Sequence, residues 1–435
     1  MPPLPAPAVP PELPATGALV VGFSGGLDST VLLHWLAADP ALRARGLRAL
    51  HVNHALHPAA DAWQRHCVAV CERLQVPLRS VRVEVQRGAG SGLEAAAREA
   101  RHAAFAAELA AGEVLVLAHH RADQAETFLL RALRASGPDG LAAMRPWRRY
   151  GAGWLWRPLL GCGRDALLAH ARAHGLGWID DPGNADPAFD RNFLRARVLP
   201  LLRERWPHAD AALARAAALC GEAQALLEDG DAEALALAAS ADPHCLRVGP
   251  LRALPAPRRA RALRRWIAAL GLPPLPGHGA ERIERELLCA RIDAAAEFAW
   301  RGARILRWRG LLHADRPRPP LPGDWEADWD GAAPLPLPGG GALRLEGAAR
   351  FDAPLRARAR RGGERIALPG RAHRHALKHV LQALEVPPWE RARLPLLFAA
   401  DGALLAAGDL VYAAPFDAWL RARGARLRRT PGAAD

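Results

Sequence analysis

Leu19-Val20-Val21-Gly22-Phe23-Ser24-Gly25-Gly26-Leu27-Asp28-Ser29-Thr30 is the stretch that decides how the first half of this 435-residue chain folds. Its apolar run suits a buried strand and stops at Ser24. Two glycines follow, and a helical pattern opens at Ser29 and continues through Val31-Leu32-Leu33-His34-Trp35-Leu36. A strand, a glycine turn and a helix N-terminus make a ready anion site, because backbone N–H groups and the helix dipole point the same way. Glycine at 25 and 26 permits positive φ and lets a phosphate approach the backbone closely. Ser24 and Ser29 add hydroxyl donors. A Walker A loop needs Lys-Ser/Thr after its last glycine, and Leu27-Asp28 stand there instead.

The six residues Ser24, Gly25, Gly26, Leu27, Asp28 and Ser29 read S-G-G-x-D-S. They resemble the pyrophosphate (PP) loop of the N-type ATP pyrophosphatases. That resemblance implies an enzyme that grips the β,γ end of ATP, leaves the α-phosphorus open to attack and releases pyrophosphate.

Outward from the loop, short apolar runs at 18–23, 47–52, 78–85 and 114–119 alternate with amphipathic stretches, notably 61–74 and 92–111. Strands alternating with helices predict an α/β fold, a doubly wound parallel sheet with ligands at the carboxyl ends of its strands. The chain is long enough for two or three domains. Residues 1–16 read as a disordered Pro-rich lead and 17–205 as the catalytic domain. Residues 206–315 read as a mainly helical domain, 316–341 as a Pro/Gly-rich linker and 342–435 as a small α+β domain.

The formal charge of +13 favours a polyanionic partner. All basic residues but Lys378 are arginine, a bias that weakens the inference from the count alone. Six scattered cysteines with no C-x-x-C pair suit reduced thiols rather than a disulfide frame or zinc ribbon. No signal peptide and no apolar run of membrane-spanning length is present, so a soluble cytoplasmic protein without membrane partners is expected.

Other constellations belong to the same sheet. His51-Val52-Asn53-His54 follows the second strand, at the mouth where a base could bind. After the fourth come His119-His120-Arg121-Ala122-Asp123-Gln124-Ala125-Glu126. Asp123 and Glu126 share a helical face and could hold Mg²⁺ or an amine's ammonium, or simply favour the helix dipole. Glu94, Arg98 and Arg101 fall on one face, as solvated pairs or as an anion clamp. Arg191, Arg195 and Arg197 crowd a helix start, where either an anionic ligand or a salt-bridge network would explain them.

Together these motifs resemble the bacterial tRNA(Ile)-lysidine synthetases. The likeness continues through Arg157-Pro158-Leu159-Leu160, Arg191-Asn192-Phe193-Leu194-Arg195, Arg361-Gly362-Gly363-Glu364-Arg365 and Val386-Pro387-Pro388-Trp389-Glu390-Arg391. It implies a ligase that uses ATP and Mg²⁺ to join L-lysine to C2 of cytidine 34 in a tRNA(Ile) with a CAU anticodon; a homodimer is one arrangement it admits. On that reading Asp28 places Mg²⁺ and phosphate, Asp123 and Glu126 grip lysine, and Arg98, Arg101, His119, Arg191 and Arg195 bind substrate. The chain departs from the family pattern at Ala122, where Asp is common, and at Ala55 and Ala135, where Gly is common. A tRNA thiolase, a GMP-synthetase-type ligase and a non-catalytic RNA-binding protein are the competing readings. The first lacks a plausible cysteine pair, the second a glutaminase nucleophile, and the third leaves the loop unexplained.

Overall fold

The computed structural model describes residues 4, 9–10, 13–14, 17–85, 93–180, 189–291 and 296–430, without the side chains at 93–95. They form two compact units, 1–231 and 232–435.

In the first unit, β1 (Leu19–Gly22), β2 (Arg48–Asn53), β3 (Leu78–Arg82) and β4 (Val114–Val116) are mutually parallel. A hairpin, β5 (Trp147–Tyr150) and β6 (Gly153–Trp156), completes the order β3-β2-β1-β4-β6-β5, with β6 parallel to β4 and β5 antiparallel at the edge. The sheet is the predicted doubly wound one, and the hairpin is an addition to it. Period-two alternation on β1 sends Leu19 and Val21 to one face and Val20 to the other. The first face is covered by α1 (Leu27–Ala37) and α2 (Ala60–Leu74), the second by Phe105 of α3 (Leu93–Glu108) and by Leu109 just after it. Val31, Leu32, Leu33 and Leu36 are fully buried. At about 1.5–3 kcal/mol for each buried aliphatic side chain, they fix the helix that begins at the glycine loop.

The connection out of β1 leads to β2 on one side, and the one out of β3 returns to β4 on the other. The strand order therefore switches between β1 and β4, and the crevice at their carboxyl ends is the expected ligand site. The loop after β1 meets there α4 (Arg121–Ala132), which follows β4.

The lead at 1–16 lies partly outside the described residues. Leu4 and Leu13 are described, and both pack on the α1 face of the sheet, so the expectation of a wholly disordered lead is corrected there. Apolar contact outweighs the Pro-rich composition at those two positions.

In the second unit, β7 (Cys245–Arg247), β8 (Glu297–Trp300), β9 (Ala303–Trp308) and β10 (Leu311–Asp315) form an antiparallel sheet in the order β7-β10-β9-β8. Leu263, Trp266 and Ile267 of the helix Ala256–Ala269 pack on Phe298, Ile305 and Leu312. The stretch 316–341 is not a bare linker: β11 (Glu326–Trp329) and β12 (Leu335–Pro336) lie within it, with Trp329 and Leu335 buried. Its prolines and glycines punctuate strands of the C-terminal sheets. Three helices, Leu377–Ala383, Pro388–Arg391 and Ala414–Ala422, are set among these strands, in keeping with the small α+β domain expected there. No helix among the described residues is long and apolar enough to cross a membrane.

Candidate active site

At the end of β1 the chain turns through Gly25, whose φ is +80°. A Cβ there would lie 2.8 Å from Ile179 Cδ1 and 2.9 Å from Cys67 Sγ, so only glycine fits. Gly26 has ordinary φ and precedes α1 with no side chain capping it. The first helical bond is Thr30 N–H to Gly26 O at 3.0 Å, which leaves the N–H groups of residues 27–29 pointing out of the helix end. The two serines brace the loop: their Oγ atoms lie 3.0 Å apart, and Ser29 Oγ donates to Gly26 O at 3.1 Å. His51 is part of this brace rather than a base-binding group. It is buried and donates from Nδ1 to Phe23 O at 2.9 Å, and burial holds its pKa below the usual histidine range.

Across the crevice, His120 caps α4. Its Nδ1 accepts from Ala122 N–H at 3.2 Å, while Asp123 Oδ2 accepts from His120 N–H at 2.9 Å, a reciprocal capping box. The ring proton therefore sits on Nε2, 3.6 Å from both Asp28 Oδ2 and Asp123 Oδ2. His120 thus links the glycine loop to α4. The family-common Asp at position 122 is replaced by an alanine that is itself buried, and the cap needs only its N–H.

Asp28 is under strain of charge. Burial pushes its carboxyl up, and Asp123 adds to this against the pull of His120, Arg164 and Arg195. Its Oδ1 is buried with no hydrogen-bond partner. An orphaned carboxylate oxygen beside a second carboxylate fits a hard divalent cation such as Mg²⁺.

Asp123 and Glu126 are met from above by the segment 190–198. Arg195 grips Glu126 with Nε to Oε1 at 2.7 Å and Nη2 to Oε2 at 3.0 Å, and Arg191 Nε reaches Oε2 at 2.8 Å. Both arginines also approach Asp123 Oδ1, at 3.3 and 3.5 Å. This ion-pair network accounts for cations at a helix start. Glu126 is fully buried, while Asp123 keeps a small exposed edge. The structure thus brings Asp28, Asp123, Glu126, Arg191 and Arg195 together, and it places both arginines on protein carboxylates.

His119 is held neutral: burial and the nearby Arg157, Arg191 and Arg98 push it down to about 3, against Asp123. Its Nδ1 accepts from Arg157 Nε at 3.2 Å, so its proton is on Nε2 as well. Arg157 is buried, and desolvation together with Arg148, Arg98 and Arg131 lowers it to about 10. Burial first, and then Arg98 and Arg101, push His102 down to about 4. A group of guanidinium ions this close favours an anion between them. His120 and Arg157 had no assigned role from sequence; a capping box and a buried cation are both invisible without the fold. The Glu94 side chain lies outside the described residues.

Cys67 and Cys71 are buried, and desolvation pushes them up to about 12 and about 11. Such thiols are poor sulfur carriers, which counts against the thiolase reading.

Three family models match the chain: a PP-loop domain over 10–202, a TilS substrate binding domain over 246–313 and a TilS substrate C-terminal domain over 355–429. A tRNA(Ile)-lysidine synthase of Xanthomonas axonopodis pv. citri is 58% identical over 425 residues, covering 96% of each chain. The chain belongs to the tRNA(Ile)-lysidine synthase family. A synthase of Xanthomonas campestris pv. campestris is 56% identical over 420 residues, and one of Xylella fastidiosa (strain Temecula1) 53% over 426, each again covering 96% of both chains. Membership makes the chain a ligase-type enzyme with an ATP-binding PP-loop domain.

Two departures from the pattern common among tRNA(Ile)-lysidine synthases have a physical cost. Ala55 and Ala135 both adopt φ of +52°, where the family commonly has glycine. Ala135 closes the C-terminus of α4: Ser136 N–H bonds to Arg131 O and Ala135 N–H to Ala132 O, each at 3.0 Å. A left-handed alanine costs about 1–2 kcal/mol, partly offset by the larger unfolded-state entropy of glycine. Ala135→Gly is therefore expected to stabilise the chain by about 1 kcal/mol. A higher urea midpoint at unchanged slope is the expected sign, and an unchanged or lower midpoint would refute the strain.

Proposed function

We propose that this chain joins the ε-amine of L-lysine to C2 of cytidine 34 in a CAU-anticodon tRNA(Ile), with ATP cleaved to AMP and pyrophosphate. The product reads AUA in place of AUG. The observation that carries the proposal is the Asp28–His120–Asp123 line across the crevice, which sets an anion cradle against a nest of carboxylates and arginines.

A carbonyl oxygen on a pyrimidine leaves poorly until it is adenylated. The C2 oxygen attacks the α-phosphorus, and pyrophosphate departs into the loop of residues 24–29. The N–H groups of 27–29 and the Ser24 hydroxyl stabilise the negative charge that develops on it. The lysine amine then attacks C2, AMP leaves with the C2 oxygen, and the amine gives up its proton. Asp28 would hold Mg²⁺, which when bound neutralises phosphate charge. Asp123 presents the accessible carboxylate for the lysine ammonium. Glu126 acts through Arg191 and Arg195, holding them so that one guanidinium edge stays available to the lysine carboxylate. Arg98 and Arg157 supply the cationic wall for the substrate's phosphates.

The cytidine must be unstacked to reach the crevice, and the rest of the tRNA needs a basic surface. Residues 356–393 carry ten basic and three acidic side chains, which suits phosphate tracking by the C-terminal region. Incubating the purified protein with ATP, labelled lysine and CAU-anticodon tRNA tests the whole reading. Label is expected on that tRNA, with AMP and pyrophosphate formed in step. ATP turnover without lysine transfer would overturn it.

A further inference from the structure

In the second unit, the turn before β7, the first residue of β7 and the middle of β10 bring three different metal-ligand chemistries to one point. We propose that Asp242, Cys245 and His313 form a binding site for a single zinc-class divalent ion, with water in the fourth position. Cys245 and His313 are direct partners in the antiparallel β7–β10 pair. Cys245 Sγ lies 3.4 Å from His313 Nδ1 and 3.4 Å from Asp242 Oδ2. The three donor atoms all fall within 4.8 Å of one another. In a tetrahedral zinc site, sulfur and nitrogen or oxygen ligands stand about 3.5 Å apart, so the two sulfur edges already have the right length.

The donors are also held in place. Asp242 uses Oδ1 to accept His244 N–H at 2.9 Å, and its carbonyl accepts Cys245 N–H at 2.9 Å, so the turn aims Oδ2 at the thiol. His313 turns its other nitrogen, Nε2, toward Asp315 Oδ2 at 3.5 Å, and Arg304 fixes Asp315 with Nε to Oδ1 at 2.8 Å. A carboxylate behind the histidine is the usual arrangement around a bound metal, where it sets the tautomer and raises ligand basicity. The imidazole ring stacks on Trp389 at 4.5 Å and 24°. An ion here would lock His313 and, through that stack, tie β10 to the C-terminal region.

Donor chemistry selects the class of ion. One thiolate, one imidazole and one carboxylate suit Zn²⁺ or Co²⁺. Mg²⁺ and Ca²⁺ prefer oxygen alone, and an iron–sulfur cluster needs more thiolates. The site lies in the second unit, and the reaction proposed above makes no use of it.

The test uses the full chain stripped of metal and titrated with Co²⁺, then Zn²⁺. One equivalent of Co²⁺ should give a near-ultraviolet sulfur-to-cobalt charge-transfer band that Zn²⁺ abolishes. Cys245→Ser should remove the band, and Cys289→Ser should leave it unchanged. Asp315→Asn should weaken affinity about tenfold or more, without changing stoichiometry. Zn²⁺ should raise the melting temperature of the parent chain and not that of Cys245→Ser, and circular dichroism checks that the variant is folded. Absence of the band at one equivalent, or its persistence in Cys245→Ser, overturns the proposal.

Discussion

Asp28→Asn is expected to lower the rate of ATP-dependent lysine transfer by about 10³-fold, while the folded chain becomes no less stable. The two halves have one cause. The Asp28 carboxyl is pushed above its unfolded value by burial and by Asp123, so the folded state prefers it protonated. Its ionisation therefore costs folding free energy. That cost is absent below the unfolded pKa, grows as pH rises toward the folded pKa and is fully present above it. Asparagine removes it. The same charge is what the loop needs when a phosphate-bound cation approaches, because a bound cation inverts the local preference and favours the carboxylate. Lysine-dependent release of AMP and a urea midpoint at pH 7, both on Asp28→Asn, separate the two effects. A large fall in stability at that pH would mean that Asp28 serves the fold and not the phosphates.

The glycine loop was legible in the sequence because its six residues are contiguous and its chemistry is local: a strand end, a φ-permissive Gly25 and an uncapped helix start. The pairing of Asp123 with Glu126 was legible for the same reason, since helical spacing alone puts them on one face. What faces them was not. Arg191 and Arg195 approach from the segment 190–198, and no local pattern distinguishes a guanidinium meeting an external anion from one meeting Glu126. His120 hid in the same way, because the family pattern directs attention to a side-chain carboxylate at 122, where the structure uses the backbone N–H of Ala122 and the His120 imidazole. Composition misled at 316–341, where Pro and Gly suggest a linker and the buried Trp329 and Leu335 decide otherwise. The β5–β6 hairpin was missed because its tryptophans and arginines do not look like a buried strand. Trp147 and Trp154 stack across it at 4.9 Å and pack on the α1-side core beside the buried Trp156, while Arg149 lies over the Trp154 ring at 3.8 Å.

Glu126→Ala should destabilise the first unit by up to about 3 kcal/mol and raise the Michaelis constant for lysine at least tenfold, with that for ATP little changed. Glu126 is fully buried and accepts three bonds from Arg191 and Arg195 at 3.0 Å or less. Removing it leaves two guanidinium ions with only their longer contacts to Asp123 Oδ1, which is the costly way to break a buried pair. The loss stays at the low end of that range because Arg195 is 38% exposed and can turn to water. Once it turns, the guanidinium edge kept for the lysine carboxylate is misplaced, while Asp28 and the glycine loop are untouched. Glu126→Gln retains one acceptor and should fall between the alanine variant and the parent on both readouts. A Glu126→Ala/Arg195→Ala cycle should show coupling of about 1–3 kcal/mol, because the second mutation removes a charge the first has orphaned. Additive losses would mean that the two side chains act independently. An unchanged lysine constant in Glu126→Ala would confine the network to holding the segment 190–198 on α4.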